Sequence, residues 1–552
     1  MSAGVLVRRA VDGAGALRGG GAWRPTPYQL FGFLFWLVMC LAYWRVPLCC
    51  DAGQHAAVVE RLEDDLLRPR HPMADLPGAG SPYYSPFAVA QGAVARLTGL
   101  GGWEVLRLGG PLNLLVLLTG LGRFVRVLSP RPWAPVLALA ATALLWGVER
   151  AWWSGYTNLM SLTGNLAYPS TCAIGLTFWA WALTGARARD AGTRDRGTGT
   201  RDRDAGTRDR DTGARDPDTG AARRDTGPGR PRRPAGYAAL GALYGLVLLV
   251  HPITAVAAAL GAVALAAGWQ RRWGPAVAGR WALTGAVALT VAACWPYFDV
   301  FALAGDASVD AMHRRLYLDL AGQFGLASLG LPALWLRARR TSWRDPLVLM
   351  FTLDCLVVAY GWISGHYTYG RILGLTLVPL QCALAVELAA PRPWPVWRRL
   401  LGRAAAAGAC AGFLTVHAGA VVPPALDPVG FEQPPDWPAY AWAARHIGPG
   451  EVVITDGYHA VHALAGYGPN LAAPAWPDAS LDERERLRRR ADVRAYLDPG
   501  STRAERSAIV RRYRARWLLL TPWQQVPEEA VVVAWSRRTG EVLARIGGGG
   551  PA

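Results

Sequence analysis

Apolar runs of about 17 to 22 residues recur along this chain, and each can cross a hydrocarbon core of roughly 30 Å as a helix. The first spans Tyr28 to Trp44. Others lie near 106–122, 133–148, 166–185, 236–250, 253–269, 277–296, 320–336, 346–363, 372–389 and 404–422. These eleven runs predict an α-helical polytopic membrane protein, not the three or four soluble domains that 552 residues would otherwise allow. No small-residue cleavage site follows the first run, so it reads as a retained helix. Apolar residues make up 52% of the chain, which excludes a disordered protein. The eight Cys lie mostly inside apolar runs, which excludes a disulfide-stapled scaffold.

The formal net charge is +18 and all 58 basic residues are Arg, a balance that invites a nucleic-acid reading. The placement of the charge removes it. With the N-terminus inside, the inner segments are 1–27, 123–132, 186–235, 270–276 (with Arg280), 337–345 and 390–403. Together they hold 32 Arg against 11 acids, and each is positive; the remainder holds 26 Arg against 29 acids. The charge therefore records topology, through the bias of basic residues toward cytoplasmic loops. No nucleic-acid partner is implied.

Residues 84–100 are apolar enough to suggest a further span, but counting them would invert every later loop. They read instead as an amphipathic helix on the outer surface, started by Pro86. The segment 186–235 repeats DAGTRDR at 190–196 and 204–210 and is expected to be a disordered inner linker. Beyond a Pro-rich stretch from Pro423 to Pro435 the apolar runs stop. Helices are predicted at 437–447, 458–466, 481–496 and 502–514, with strands at Val452–Thr455, Trp517–Thr521, 530–535 and 541–546. The expected layout is an inner tail 1–27, a membrane domain 28–423 and a small α/β domain 424–552 on the outer side.

Chemistry is sought on that outer side, where all nine His fall. The first outer loop, 46–105, is acidic over its first part, with Asp51, Glu60, Glu63, Asp64, Asp65 and Asp75 against three Arg. Asp51 directly follows the first span and shares a helical face with His55. An acid there can serve as a general base or as one ligand of a divalent metal; it can equally be a helix N-cap. His71, Tyr83 and Tyr84 continue the loop as pocket candidates. Tyr156 and Asn158 follow in a second polar outer segment, His313 in a third and His366 in a fourth. Outer Arg is scarce, so Arg314, Arg315 and Arg371 are the natural clamps for an anionic group. Asp354 falls inside a span, where an acid is a functional candidate by default.

This layout resembles the GT-C superfamily of membrane glycosyltransferases. Asp51 matches the essential acid soon after the first helix. Residues 84–100 followed by Trp103-Glu104-Val105-Leu106-Arg107-Leu108 resemble the juxtamembrane helix and second-span start. Gly370-Arg371 before Ile372 to Pro379 resembles the late-span Arg near the lipid phosphate. The segments Val452-Val453-Ile454-Thr455, Arg494-Ala495-Tyr496-Leu497 and Arg511 to Leu520 look like the soluble tails of some members. The resemblance implies a polyprenyl-phosphate-linked sugar as donor and a glycan, lipid or protein hydroxyl as acceptor. It also implies inverting displacement at the outer face, with Asp51 and His55 catalytic and Arg371, Arg314 and Arg315 on the phosphate. Many members carry paired acids in this loop. Here Asp51 stands alone, with Glu63-Asp64-Asp65 further on, so either set is open as the catalytic one and a divalent metal (Mg or Mn) stays open as cofactor. A transporter or lipid flippase is the main competing class, yet no internal repeat of the kind such folds show is present outside the linker. A non-catalytic scaffold with an outer binding domain is the other; the tail carries no GxSxG or P-loop.

Overall fold

The computed structural model describes residues 24–76, 80–204, 234–478 and 480–547, with backbone alone over 190–204. Among these residues, seven helices are long and apolar enough to cross a membrane, and two shorter apolar helices accompany them. Helix α1 (Pro27–Arg45) opens with a capping box, in which Thr26 and Gln29 satisfy each other's free backbone donors. Helix α2 (Ala52–Asp64) lies in the first loop, and α3 (Pro86–Thr98) follows it. Helix α3 is held at its start by Ser85 and at its end by Gly99, whose φ of 70° suits a left-handed cap. Its 13 residues reach only about 20 Å, so it is no span. Then come α4 (Gly102–Leu128), α5 (Ala134–Leu144), α6 (Pro169–Asp204), α7 (Ala235–Val250), α8 (Pro252–Trp269), α9 (Pro275–Ala293), α10 (Leu331–Arg340) and α11 (Pro346–Ser364). The last two membrane segments are Tyr367–Leu388 and Val396–Val421.

In the tail, the helix expected over 437–447 is only Ala441–Ala444, and two expectations change in the membrane domain. Residues 320–336 are not one helix but three pieces: Leu320–Phe324, a 3-10 turn Gly325–Gly330, and α10. The break has a partner, because the Gly322 carbonyl accepts the backbone N–H of Val148 at 2.8 Å and of Glu149 at 2.9 Å. Helix α6 also runs on to Asp204, into the linker expected to be unstructured. Extending an anchored helix gains one bond per residue without a new nucleus. Residues 205–233 of that linker, and most of the N-terminal tail, lie outside the described residues.

The predicted inner loops meet at one end of the helices. Arg131 donates to the Val386 carbonyl, Arg340 and Arg398 pair with Glu387, and Arg337 pairs with Asp345. At the opposite end sits the tail, a five-stranded sheet in the order β2-β1-β3-β5-β4. Its strands are β1 (Val452–Ile454), β2 (Asn470–Leu471), β3 (Ala515–Leu520), β4 (Ala530–Trp535) and β5 (Val542–Ile546). β1 runs parallel to β2 and β3, and the other pairs are antiparallel. Alternate residues of β3 serve two cores, as the two-residue period requires. Leu518 and Leu520 face helices α12 (Glu483–Leu497) and α13 (Arg503–Tyr513) through Val493, Tyr496, Ile509 and Tyr513. Trp517 and Leu519 join Ala57 and Met73 of the first loop. The tail is thus packed onto α2. Gly53 permits the contact: a Cβ there would stand 2.3 Å from the His462 carbonyl oxygen. Arg61 adds bonds to the Gly468 carbonyl at 3.0 Å and to Asn470 Oδ1 at 2.8 Å.

Candidate active site

The chain leaves α1 and turns at Cys49 and Cys50. Cys50 has φ of 62°, left-handed backbone that costs a non-glycine residue about 1–3 kcal/mol. Tyr168 fixes the turn by donating its hydroxyl to the Cys49 carbonyl at 2.5 Å. Asp51 follows at the N-cap of α2. A capping carboxylate would accept a backbone N–H of the first turn, and Asp51 makes no such bond. Its side chain instead lines a cavity of about 240 Å³ together with His55, Tyr83, Tyr168, His251 and Arg371. His55, one turn along, brings Nε2 to 3.9 Å from Asp51 Oδ2, beyond hydrogen-bond distance. Burial holds the His55 pKa below its ordinary 6.5; Asp51 offsets part of this and Arg371 adds to it. The ring is therefore neutral at pH 7. Tyr83, pushed up mainly by burial, is a neutral phenol donating to Gln54 Oε1 at 3.1 Å.

Arg371 comes from the 3-10 turn Tyr367–Ile372 at the head of a membrane segment. One Nη donates to Ser154 Oγ at 2.9 Å. Its Nε is buried with no partner, and among the described residues no acid lies within ion-pair distance. This is a fixed positive charge with unmet donor capacity, facing a cavity that also holds a carboxylate. A small network positions the turn. Asp310 Oδ1 accepts the Thr368 N–H at 2.8 Å and its hydroxyl at 2.6 Å, Asp310 Oδ2 meets His366 Nδ1 at 3.2 Å, and His313 Nδ1 meets Thr368 Oγ1 at 2.9 Å. His313 and His366, expected as pocket residues, are thus the scaffold of Arg371. Tyr156 is buried within the electrostatic reach of Arg371.

The remaining expected residues stand elsewhere. Arg314 and Arg315, expected on the phosphate, are exposed on the 3-10 turn Arg314–Tyr317 and do not line this cavity. His71 is fully buried, accepting the Met73 and Ala74 N–H groups, with Nε2 3.5 Å from Asp478 of the tail. Tyr84 donates to the Arg70 carbonyl, and Asn158 caps a short helix by accepting the Ser161 N–H at 2.8 Å. Glu63, Asp64 and Asp65 sit at the far end of α2, about 18–21 Å from Asp51 along the helix.

Two cavity residues escape a residue-by-residue reading, Tyr168 and His251. His251 caps α8 by accepting the Thr254 N–H on Nδ1 at 3.3 Å. In the neutral ring, favoured by burial and by Arg371, the proton therefore sits on Nε2. A divalent cation does not fit this donor set. Among the described residues no group of three or more His, Cys, Asp or Glu is placed to hold a metal. Mg or Mn takes several oxygen ligands, whereas this cavity offers Asp51 and, at its exposed rim, Asp306, beside a guanidinium.

No family model and no curated protein matches the chain by sequence. Solved structures do match by shape. Arabinofuranosyltransferase AftD from mycobacteria aligns over 94% of this chain and 40% of its own, at TM-score 0.55 and 14% identity. A mutant of the same enzyme aligns at TM-score 0.52 over 41% of its length. The chain has the GT-C fold. An Archaeoglobus fulgidus oligosaccharyltransferase, solved with a tethered acceptor peptide, also matches, at TM-score 0.46 and 10% identity over 90% of this chain and 69% of its own. This chain spans about two fifths of the arabinofuranosyltransferase, so the GT-C likeness is one of fold.

Proposed function

We propose that this chain is a membrane glycosyltransferase that moves a hexosyl or pentosyl residue from a polyprenyl-phosphate donor to an acceptor hydroxyl. The reaction takes place on the extracytoplasmic face of the cell envelope, with the N-terminus inside and the tail outside. One observation carries the reading: Asp51 and Arg371, from opposite ends of the membrane domain, share one cavity. An apolar groove of about 630 Å³ between α7, α8 and α9 reaches the same place, since Pro252 lines both. The groove suits a polyprenyl tail, and the cavity above it suits the phosphate and sugar.

Arg371 holds the phosphate and stabilises the charge it gains as leaving group. Asp51 accepts the proton of the acceptor hydroxyl as that oxygen attacks the anomeric carbon from the side opposite the phosphate, which inverts the centre. Neutral His55 and His251 supply N–H or lone-pair contacts to the sugar without adding charge. The acceptor is a glycan, lipid or protein. The experiment is incubation of membranes with labelled polyprenyl-phosphate sugars, comparing wild type with Asp51→Asn. The variant is expected to lose at least about 100-fold in transfer while still inserting. A fully active Asp51→Asn overturns the reading.

A further inference from the structure

A second cavity, of about 510 Å³, opens beside the first and shares Ser308, Val309 and Pro477 with it. Its far wall belongs to the tail. Trp476 and Tyr458 line it, along with Arg486, Arg490 and Arg494, which recur every four residues on one face of α12. His462 and Tyr458 on its wall lie within electrostatic reach of Asp51, so the cavity adjoins the proposed base. Its size suits a sugar unit.

The charges on α12 are unevenly matched. Glu483 pairs with Arg486, Glu485 with Arg488 and Arg489, and Asp492 with Arg512. Those pairs use up the acids of the helix. Arg490 gives one Nη to the Ala475 carbonyl at 2.6 Å and forms no ion pair among the described residues, with Glu483 acting on it only at longer range. Arg494 is exposed and, among the described residues, forms no ion pair or hydrogen bond. Arg315 adds a third positive charge, within electrostatic reach of Tyr458. The one acid lining the cavity, Asp456, takes a bond from Gln524 at 2.8 Å. Burial first, then the charges of Arg486 and Arg494, lower the Arg490 pKa, and Glu483 offsets only part of this. The wall is otherwise apolar and aromatic, which suits the C–H face of a sugar ring.

We propose that this cavity is the acceptor subsite and that the acceptor is an anionic saccharide, its phosphate or carboxylate held by Arg490 and Arg494. The inference rests on the transferase reading for the word acceptor, but its binding chemistry stands on this cavity alone. The test uses the purified full chain in detergent micelles, without donor. Binding of glucose 1-phosphate, glucuronate and neutral glucose is followed by ligand-observed NMR titration, for wild type, Arg494→Gln and Arg490→Gln. Wild type is expected to bind at least one anionic sugar roughly tenfold or more tightly than glucose, and Arg494→Gln to lose most of that margin. Preference for the phosphate sugar or for the uronate names the source of the charge. Equal affinity for all three sugars, or a margin unchanged in both variants, overturns the proposal. Because no transfer is measured, that failure is distinct from an active Asp51→Asn, which would overturn the transferase reading alone.

Discussion

The two ends of α2 carry acids of the same kind in opposite circumstances. At its start, Asp51 follows a left-handed Cys50, makes no capping bond and lines a cavity with Arg371. At its end, Asp64 and Asp65 are exposed, and Asp65 is spent on a turn, accepting the Leu67 and Arg68 N–H groups at 2.9 and 3.0 Å. Composition alone ranks the second group higher, since it holds three acids to one. Position reverses the order. A base must meet both an attacking hydroxyl and a stabilised leaving group, and only the start of the helix has a cation with unmet donors opposite it.

The comparison breaks most sharply at Arg371. Arg371→Gln keeps a polar side chain near Ser154 but removes the charge, and transfer is expected to fall about 100-fold or more. Arg371→Lys should recover little, because a point charge replaces a guanidinium fixed by Ser154. The same assay on Arg398→Gln, at the inner end and paired with Glu387, should stay near wild type in rate. Comparable losses in both would mean that charge, not location, matters.

Helix α2, which carries Asp51 at its start, is packed directly against the tail. Gly53→Ala puts a methyl within 2.3 Å of the His462 carbonyl and 2.5 Å of the Ala463 Cα, backbone atoms that cannot swing aside. The strain should cost about 1–3 kcal/mol. Limited proteolysis should then release the tail faster, with transfer falling in parallel. An unchanged digestion pattern would mean that the tail is held independently of this contact.

The network behind Arg371 makes the site sensitive to acid. Burial, with the Arg371 charge adding to it, pushes His313 down from 6.5 to about 3. The unfolded chain therefore binds this proton where the folded chain does not. The stability it contributes is complete above pH 6.5 and is lost as the pH falls toward 3, about 2 kcal/mol of it by pH 5. Thermal unfolding of the purified protein between pH 7 and 5 should show the loss. His313→Gln, which keeps a partner for Thr368, should reduce its slope.

What could be read beforehand was what depends on local pattern. Most apolar runs became helices within a few residues of their expected ends, and strands such as Val452–Ile454 and Ala530–Trp535 were legible from their β-branched runs. Residues 320–336 misled because apolar composition alone does not separate a span from short helices packed against residues 146–149. Arg314 and Arg315 misled in a related way. Scarcity marks which Arg is unusual, but composition does not reveal which of them lines the cavity. Asp51 and Arg371 were found through their place relative to spans. Tyr168 and His251 were placed on the outer side but not joined to Asp51, since that grouping arises only where distant segments meet.

The smallest expected effect is the one that best tests the opening contrast. Glu63→Gln, Asp64→Asn and Asp65→Asn combined remove three charges from the first loop without touching the cavity. Transfer should stay within about twofold of wild type, because the acids lie some 18–21 Å from Asp51 and solvent screens charges at that range. Some loss of stability is expected from Asp65, whose amide replacement weakens the turn at Leu67, typically by about 1 kcal/mol. A large drop in transfer with the protein still folded would move the base to the far end of α2. It would then require the acceptor to approach from that side, away from Arg371 and from the groove that ends at Pro252.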